Sequence, residues 1–149
     1  MDLLRIMCKV DEGAYAPERA HEADAGFDLR TPCREIVPAR GGVLIDTGVH
    51  FDIPMGYVGF IKTKSGLCVK HNLRSAGGVI DSGYTGSVKV KIFNDSDKPY
   101  GFNSGDKIAQ IVFLPIPYVV LEPVPEQFFS GVIEPMRERG SNGFGSTGR

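Results

Sequence analysis

With 149 residues, the chain is long enough to form one domain with its own hydrophobic core, without a disulfide or a metal to hold it. Hydrophobic residues make up 42% of the chain and charged residues 23%, which excludes the composition of a disordered protein. The net charge of -1 argues against a broad nucleic-acid-binding surface, although a local pocket can still bind a small polyanion.

The cysteines and the apolar runs bear on where the protein acts. Cys8, Cys33 and Cys68 are scattered and odd in number, as in proteins of a reducing compartment, and no cysteine or histidine cluster indicates zinc. We therefore expect a cytoplasmic protein, or also a nuclear one if the source is eukaryotic or viral. Charged residues interrupt the apolar stretch within the first ten residues, so we expect no signal peptide. The sequence has no apolar run of about 18 residues, so we expect no membrane span.

The predicted secondary structure is almost entirely β. From residue 43 to residue 53, apolar side chains and one threonine recur at every second position, which predicts one strand, or two strands with a bend at Gly48. Three later stretches also predict strands: YVGFIKTK, GSVKVKIFN and the more continuous apolar run DKIAQIVFLPI, which is typical of a strand buried on both faces. Short strands between frequent turns predict a sandwich or a barrel.

Helical periodicity is confined to one stretch. The sequence SGLCVKHNL, residues 65–73, predicts a helix of about two turns with Ser65 as its N-cap.

Composition divides the chain into three segments. We expect a β core over residues 1–114, an extended linker with five prolines over 115–138, and a glycine-rich arm over 139–149. At about 3.1 Å per residue the linker could reach roughly 70 Å, against a radius of gyration of about 15 Å for such a domain. It can therefore carry the arm across the molecule or onto a neighbouring subunit, although QFFSGVI within it can also dock as a strand.

The stretch GVIDSGYTG, residues 78–86, contains the first candidate catalytic residue. Asp81 follows small and apolar residues and precedes a glycine-rich turn, a setting in which a carboxylate can hold a water molecule as general base. The alternative is a plain β-hairpin whose turn is capped by Asp81 and Ser82, with Tyr84 packed on it.

Three further motifs suit phosphate and a hydrated cation. In TKSGL, Ser65 and Gly66 at a helix start aim amide groups outward and Lys64 adds positive charge; an ordinary capped helix is the alternative. In AGFDLRT, Asp28 can hold the waters of a cation or can be a solvated strand residue. In GDKIAQIVF, Gln110 either faces a ligand or has buried partners.

The C-terminal stretch RGSNGFGSTGR is not a Walker A loop, because it lacks the GxxxxGK[ST] pattern. Its amide groups and hydroxyls can surround phosphate oxygens, Arg139 can pair with them, and Phe144 can stack on a planar base. The alternative is a disordered end.

The order of these five motifs resembles that of the trimeric dUTPase family, from residue 25 to the C-terminus. The resemblance implies an all-β, distorted jelly-roll or β-clip barrel with one short helix and an extended C-terminal arm. It also implies a homotrimer with active sites shared between subunits, and hydrolysis of dUTP to dUMP and pyrophosphate with Mg²⁺ as cofactor. Neither nucleic acid nor a membrane is expected as a partner, and an additional protein partner stays open.

The resemblance implies roles for the residues around Asp81. Asp81 matches the aspartate that activates the attacking water, and Tyr84 matches the tyrosine under the deoxyribose, which leaves no space for a 2′-hydroxyl. A β-hairpin leading into Asp81 matches the uracil slot, where backbone groups read the base and close walls exclude the methyl group of thymine. The predicted slot residues are Ser75, Gly78, Val79 and Ile80.

The other motifs match groups that bind the triphosphate. Lys64, Ser65 and Gly66 match the phosphate-binding helix start, and Gln110 matches a phosphate-contacting glutamine. Asp28 matches the carboxylate that holds the waters of Mg²⁺. In the arm, the predicted substrate-binding residues are Arg139, Phe144, Gly145, Ser146 and Thr147.

The chain departs from the common family pattern at a few positions. Lys64 stands where arginine is usual, so its charge is kept but two-pronged phosphate contact is not. Gly83 and Thr85 flank Tyr84 where aspartate and arginine are frequent, and Asn142 replaces a glycine of the arm.

Two rival functions remain. The related dCTP deaminases share the fold, but the sequence shows no carboxylate placed to attack the base. A catalytically weak module that senses dUTP and regulates a protein partner is the second.

Overall fold

The computed structural model describes residues 4–127. The chain divides into a compact unit over Met1–Pro117 and a second unit over Tyr118–Arg149. In the second unit, residues 118–125 form neither helix nor strand. The elements of the first unit are β1 (Met7–Val10), β2 (Gly26–Arg30), β3 (Glu35–Val37), β4 (Gly42–Asp46), β5 (Val49–Asp52), β6 (Tyr57–Lys62), α1 (Ser65–His71), β7 (Leu73–Ala76), β8 (Val79–Ile80), β9 (Lys89–Asn94), β10 (Tyr100–Phe102) and β11 (Lys107–Pro115).

The strands form small antiparallel sheets. The largest has the order β2-β11-β6-β8, and a second has the order β4-β9-β7. β1 pairs with β5, and β10 pairs with β3. In the described part of the chain, no helix has the length and hydropathy that crossing a membrane requires.

The alternating stretch from Val43 to Ile53 forms two strands, as one of the two sequence-based alternatives predicted. Gly48, with φ of +66°, separates β4 from β5, and a side chain would be strained in that conformation. The two strands then join different partners, β9 and β1. Ile45, Val49 and Ile53 are all buried, so the inward face continues through the bend.

One hydrophobic core joins the sheets. Its fully buried side chains come from most of the strands and include Leu29, Val37, Ile45, Val49, Leu73, Val90, Ile92, Phe102, Ile108 and Ile111. Burying a side chain of this size contributes about 1.5–3 kcal/mol, so these contacts supply most of the stability that fixes the site.

The segment before Asp81 differs from the predicted hairpin. β7 pairs with β9 in one sheet, whereas β8 pairs with β6 in another, so the two strands are not hydrogen-bonded to each other. The chain crosses between the sheets at Gly77 and Gly78. A Cβ on Gly77 would lie 2.7 Å from the Ile61 side chain, and Gly78 has φ of +67°, which explains why two glycines stand at the crossing.

The helix lies where the sequence predicted it, but its cap is different. The N-cap is Lys64, whose carbonyl accepts hydrogen bonds from Leu67 and Cys68, so Ser65 is the first helical residue and not the cap. Asn72 ends the helix in the left-handed conformation that asparagine tolerates.

Candidate active site

A cavity of about 420 Å³ opens beside β2, β11 and the start of α1. Its volume is within the range of small-molecule sites. Asp28, Lys64, Ser65, Gly66 and Gln110, which the sequence analysis selected from three separate motifs, all line it. The fold therefore brings these three motifs to one place. The other lining residues are Ala20, Asp24, Ala25, Gly26, Lys107 and Val112.

Asp28 lies between two lysines at the floor of this cavity. Its side chain is 6% exposed, one carboxylate oxygen accepts a hydrogen bond from Lys64, and the other lies 2.6 Å from Lys107 Nζ. Burial opposes ionisation, but the hydrogen bonds from Lys107 and Lys64 outweigh it and hold the pKa of Asp28 below its ordinary value. With one carboxylate and two ammonium groups, this cluster itself carries a net positive charge, although the Asp24 carboxylate also lines the cavity. The two ammonium groups can contact an anion.

Lys107 is a site residue that the sequence analysis missed. Strict alternation along a strand would place it on the opposite face from Gln110, three residues later. The register of β11 against β2 shifts between Lys107 and Ala109, so Lys107 pairs with Arg30 and Gln110 with Asp28 on one face. This β-bulge turns both side chains into the cavity, and no sequence pattern announces it.

The Gln110 side chain occupies the space that a side chain at position 26 would fill. A Cβ on Gly26 would overlap Gln110 Oε1 and would lie 3.0 Å from Gln110 Cδ. The amide of Gln110 also donates to the Thr63 carbonyl at 3.4 Å, at the long end of hydrogen-bond distances. Its side chain is therefore positioned at the cavity wall and weakly bound there, so it can turn to a ligand.

Ser65 and Gly66 contribute the start of α1 to the same cavity. As in any α-helix, the first amide groups have no carbonyl partner within the helix. Apart from its chain neighbours and the backbone of its own helix, no described heavy atom lies within 4 Å of the position that a Cβ on Gly66 would occupy, so the backbone there is open to a ligand.

Asp81 and Tyr84 line a second cavity of about 270 Å³, which shares no lining residue with the first. Its remaining lining residues are Gly77, Val79, Ile80, Val88 and Lys89. Within one chain, the predicted general base therefore lies in a different cleft from the predicted phosphate-binding groups.

The loop that carries Asp81 and Tyr84, residues 81–87, is held by its own hydrogen bonds. The Tyr84 amide donates to the Asp81 carbonyl at 3.2 Å, and Gly83 has φ of +83°. The Tyr84 hydroxyl donates to the Ser87 carbonyl at 3.1 Å, while Tyr84 as a residue stays 45% exposed. Ser87 in turn donates to the Asp46 carboxylate. The tyrosine ring is therefore fixed in orientation and open to a ligand on one side.

Ser75, a predicted slot residue, is tied into the framework. Its hydroxyl donates to the Ile108 carbonyl at 2.6 Å, and its amide donates to Thr63 Oγ1 at 2.9 Å. The Ser75 hydroxyl therefore links β7 to β11. Only backbone groups near Ser75 remain to contact a nucleobase. Of the other predicted slot residues, Val79 and Ile80 line the second cavity, and the Gly78 carbonyl accepts from the Ile61 amide at 3.1 Å.

The predicted arm residues, Arg139, Phe144, Gly145, Ser146 and Thr147, lie outside the described residues, as does the linker from residue 128 onward.

Comparison with known proteins identifies the family. The family model described as dUTPase matches residues 12–148. The chain belongs to the dUTPase family. The deoxyuridine 5'-triphosphate nucleotidohydrolase of Eremothecium gossypii is 40% identical, over 92% of this chain and 86% of its own length. That of Clostridium acetobutylicum is 37% identical, over 94% of this chain and 93% of its own length.

Solved dUTPase structures share the fold. The Staphylococcus bacteriophage 80alpha dUTPase with dUPNHPP has a TM-score of 0.86 at 30% identity, and the match covers 97% of this chain and 99% of that one. A mutant dUTPase from phage phi11 of S. aureus, described for its coordination of a structural Mg(II) ion, has a TM-score of 0.77 at 29% identity, with 83% of this chain and 98% of that one covered.

These comparisons confirm two predictions made from the motif order. The all-β jelly-roll fold with one short helix is that of the dUTPases. The chain is a dUTP diphosphatase, the activity for which its curated relatives are named.

Proposed function

We propose that the chain hydrolyses dUTP to dUMP and pyrophosphate by in-line attack of water on the α-phosphorus. The observation that carries the proposal is the positively charged cluster of Lys64, Lys107 and buried Asp28 beside the open start of α1. It suits a triphosphate, because cationic side chains and free amide groups stabilise phosphate charge in a partly enclosed site.

Mg²⁺ fits this cluster as a companion of the triphosphate. In residues 4–127, no group of three or more histidine, cysteine or acidic side chains could hold a metal ion. Mg²⁺ keeps several of its waters and prefers substrate phosphates with one or two carboxylates, so a single carboxylate is a sufficient protein contribution. Asp28 is the residue that would hold its waters. When bound, the ion would neutralise phosphate charge and orient the triphosphate.

The steps assigned to this chain's residues begin at Asp81, which takes a proton from the attacking water. The new bond joins the water oxygen to the α-phosphorus, and the bond from that phosphorus to the bridging oxygen breaks. Pyrophosphate leaves with the electron pair. Ser65, Gly66, Gln110 and the two lysines hold the phosphates in line for this displacement.

Selection of the substrate is assigned to the second cleft. The backbone around Gly78 and Val79 would read the uracil edge, and mispaired groups there would reject cytosine. Tyr84, fixed by its bond to Ser87, would lie under the deoxyribose and exclude a 2′-hydroxyl. The product dUMP would supply thymidylate synthesis, and removal of dUTP would limit uracil in DNA.

Because Asp81 and the phosphate-binding cluster lie in separate clefts of one chain, we propose that a complete site combines clefts of different subunits in a homotrimer. The arm, with Phe144 on the base and Arg139, Ser146 and Thr147 at the γ-phosphate, would close over it. We propose a cytoplasmic location, or also a nuclear one in a eukaryotic or viral setting.

The test is pyrophosphate release with Mg²⁺ from dUTP, beside dTTP, dCTP and UTP, by the protein and by Asp81→Asn. Release from dUTP alone, lost in the variant while dUTP binding remains, is expected. Saturable dUTP binding without release by the unmodified protein would overturn the catalytic proposal in favour of a nucleotide sensor. Release of ammonia from dCTP would favour a deaminase.

A further inference from the structure

His50 links the loop that carries Asp81 to the N-terminal part of the chain. From β5, its Nδ1 lies 2.8 Å from the Thr85 carbonyl oxygen, and its Nε2 lies 3.0 Å from Asp11 Oδ2. The imidazole is mostly buried, with 18% of its side chain exposed. A single ring therefore bridges the Asp11 carboxylate and the loop that carries Asp81, with Thr85 lying 35 residues further along the chain.

Both atoms facing the ring are acceptors, a carbonyl oxygen and a carboxylate oxygen. A neutral imidazole has only one N–H, whereas the imidazolium donates from both nitrogens. The charged form therefore satisfies both partners. When the ring loses a proton, the remaining N–H stays with the carboxylate, because a hydrogen bond to an ionised acceptor is the stronger one. Deprotonation therefore breaks the bond to Thr85 and keeps the bond to Asp11.

Two hydrogen bonds hold the backbone of Asp11. Its amide donates to the Gly48 carbonyl at 2.8 Å, and its carbonyl accepts from the Ala14 amide at 3.0 Å. On the other side, Thr85 directly follows Tyr84 in the loop. The loop is also bonded to β4, through the hydrogen bond from Ser87 to Asp46. His50 of β5 and Asp46 of β4 therefore hold the last residues of the loop.

We infer that His50 is a positioning residue for dUTP hydrolysis, which as the imidazolium holds the Thr85 carbonyl and thereby places Asp81 and Tyr84. This inference rests on the proposed role of that loop in catalysis. The contact from His50 involves only the backbone carbonyl of Thr85. It can therefore hold the loop in this chain, which has threonine where the family frequently has arginine.

The charged groups around His50 set the pH at which the contact changes. Asp11 faces Nε2. Lys9, the cross-strand neighbour of His50, forms an ion pair with Asp11 at 3.0 Å, and Asp11 in turn acts against a lowered pKa at Asp46. The bond to Asp11, followed by that to Thr85, raises the pKa of His50 above its ordinary value, whereas burial and, to a lesser extent, Lys9 oppose the rise. The contact is therefore complete below the ordinary histidine range and is lost as the pH rises through the raised pKa of His50.

A measurement independent of activity tests the linkage. In an NMR titration of the full-length protein without nucleotide, the amide signals of Tyr84, Thr85 and Gly86 should shift with the same midpoint as the His50 ring. Asp11→Asn removes the carboxylate that favours the imidazolium, so it should lower both midpoints together. Loop signals that stay constant while His50 titrates, or that keep their midpoint in Asp11→Asn, would overturn the inference.

Kinetics then test whether the linkage matters for turnover. His50→Phe keeps a ring but removes both donors, and the matched control is His71→Phe, whose ring contacts Tyr100 at 4.8 Å and lies outside both clefts. The kcat of the wild-type enzyme should exceed that of His50→Phe by about tenfold where His50 is charged. This ratio should fall toward one as His50 deprotonates, and His71→Phe should match the wild-type enzyme throughout.

The two experiments separate this inference from the proposed function. If the loop follows His50 in the titration but the protein releases no pyrophosphate from dUTP, the proposed catalysis fails and the structural linkage stands. If dUTP is hydrolysed and the ratio of the two kcat values does not change with pH, the positioning role fails and the proposed catalysis stands.

Discussion

Lys107 and Gln110 face the same cavity although they are three positions apart in one strand. The β-bulge between Lys107 and Ala109 makes this possible, and it places a second ammonium group against Asp28. The cavity therefore has one more cation than the residues selected from its motifs provide.

Lys107→Gln removes that cation. We expect the KM for dUTP to rise by about tenfold, because a hydrogen bond to a charged group contributes roughly 1.5–3 kcal/mol. The rise stays at the low end of that range because Lys64 can still contact the phosphates. Lys107→Arg should retain most of the affinity, since the charge is kept. Steady-state kinetics with saturating Mg²⁺ measure both.

Lys98→Gln is the matched control, because Lys98 is an exposed lysine outside the cavity. An equal rise in KM in Lys98→Gln would assign the effect to overall charge and not to the site.

Gly26→Ala tests the seat of Gln110. The added Cβ would overlap the Gln110 side chain, which must then leave the cavity wall. We expect turnover to fall by about tenfold or more, because displaced phosphate-positioning groups lose in-line geometry. The melting temperature should change little, since the displaced side chain is at the surface of a cavity.

For comparison, Gly101→Ala adds the same methyl group where, apart from the adjacent residues, no described heavy atom lies within 4 Å. Full activity in Gly26→Ala would show that the position of Gln110 does not matter for catalysis.

Asp28→Asn should destabilise the protein at neutral pH, because it leaves Lys64 and Lys107 without their shared counterion. We expect a loss of about 1–2 kcal/mol, less than for a fully buried pair because both lysines are partly exposed. The wild-type advantage depends on the ionised carboxylate. Since the folded-state pKa of Asp28 is lowered, the advantage is complete above the ordinary aspartate value of 3.8 and fades as the pH falls through the folded-state pKa.

Denaturant unfolding of both proteins at neutral pH and at successively lower pH values measures this difference. A gap between the two stabilities that stays constant down to the lowest pH would show that ionisation of Asp28 is not its origin.

Subunit mixing tests the proposed division of the site between chains. Asp81→Asn leaves the cavity around Gln110 intact, and Gln110→Ala leaves the Asp81 loop intact. In a cyclic trimer with sites between neighbours, a refolded one-to-one mixture should recover about a quarter of wild-type activity, since each mixed trimer has one complete site. Mixing without refolding, so that subunits do not exchange, is the control. No recovery after verified exchange would place both clefts of a site in one chain.

Much of the fold could be predicted from the sequence because its signals are local. Alternation predicted β9 and, as one of two alternatives, the separate strands β4 and β5 with a bend at Gly48, where the structure has a positive φ. The short helix was also located, since its periodicity is confined to one stretch.

Other features depend on tertiary contacts that no local pattern encodes. The predicted hairpin before Asp81 was wrong, because β7 and β8 find partners in different sheets. Ser65 was wrongly predicted as the N-cap, since the extended backbone of Lys64 provides the capping carbonyl. Lys107 was missed because a bulge reverses its face.

The candidate site shows the same division. The motif order selected Asp28, Lys64, Ser65, Gly66 and Gln110, and the fold places them around one cavity. Their roles, and those of Asp81 and Tyr84, stay predictions for the experiments above. The His50 contact had no sequence signal, because its partners lie 39 and 35 residues away and one of them is a backbone carbonyl.

The extra residue in β11 has a consequence beyond the cavity. A regular strand one residue shorter would also present a lysine and a glutamine on one face, since they would then be two positions apart. What such a strand would lack is Ile108, whose buried side chain fills the core and whose carbonyl accepts the hydroxyl of Ser75 from β7. The inserted residue therefore links β11 to β7 of the other sheet, and its deletion would remove that link while leaving the lysine and the glutamine on one face.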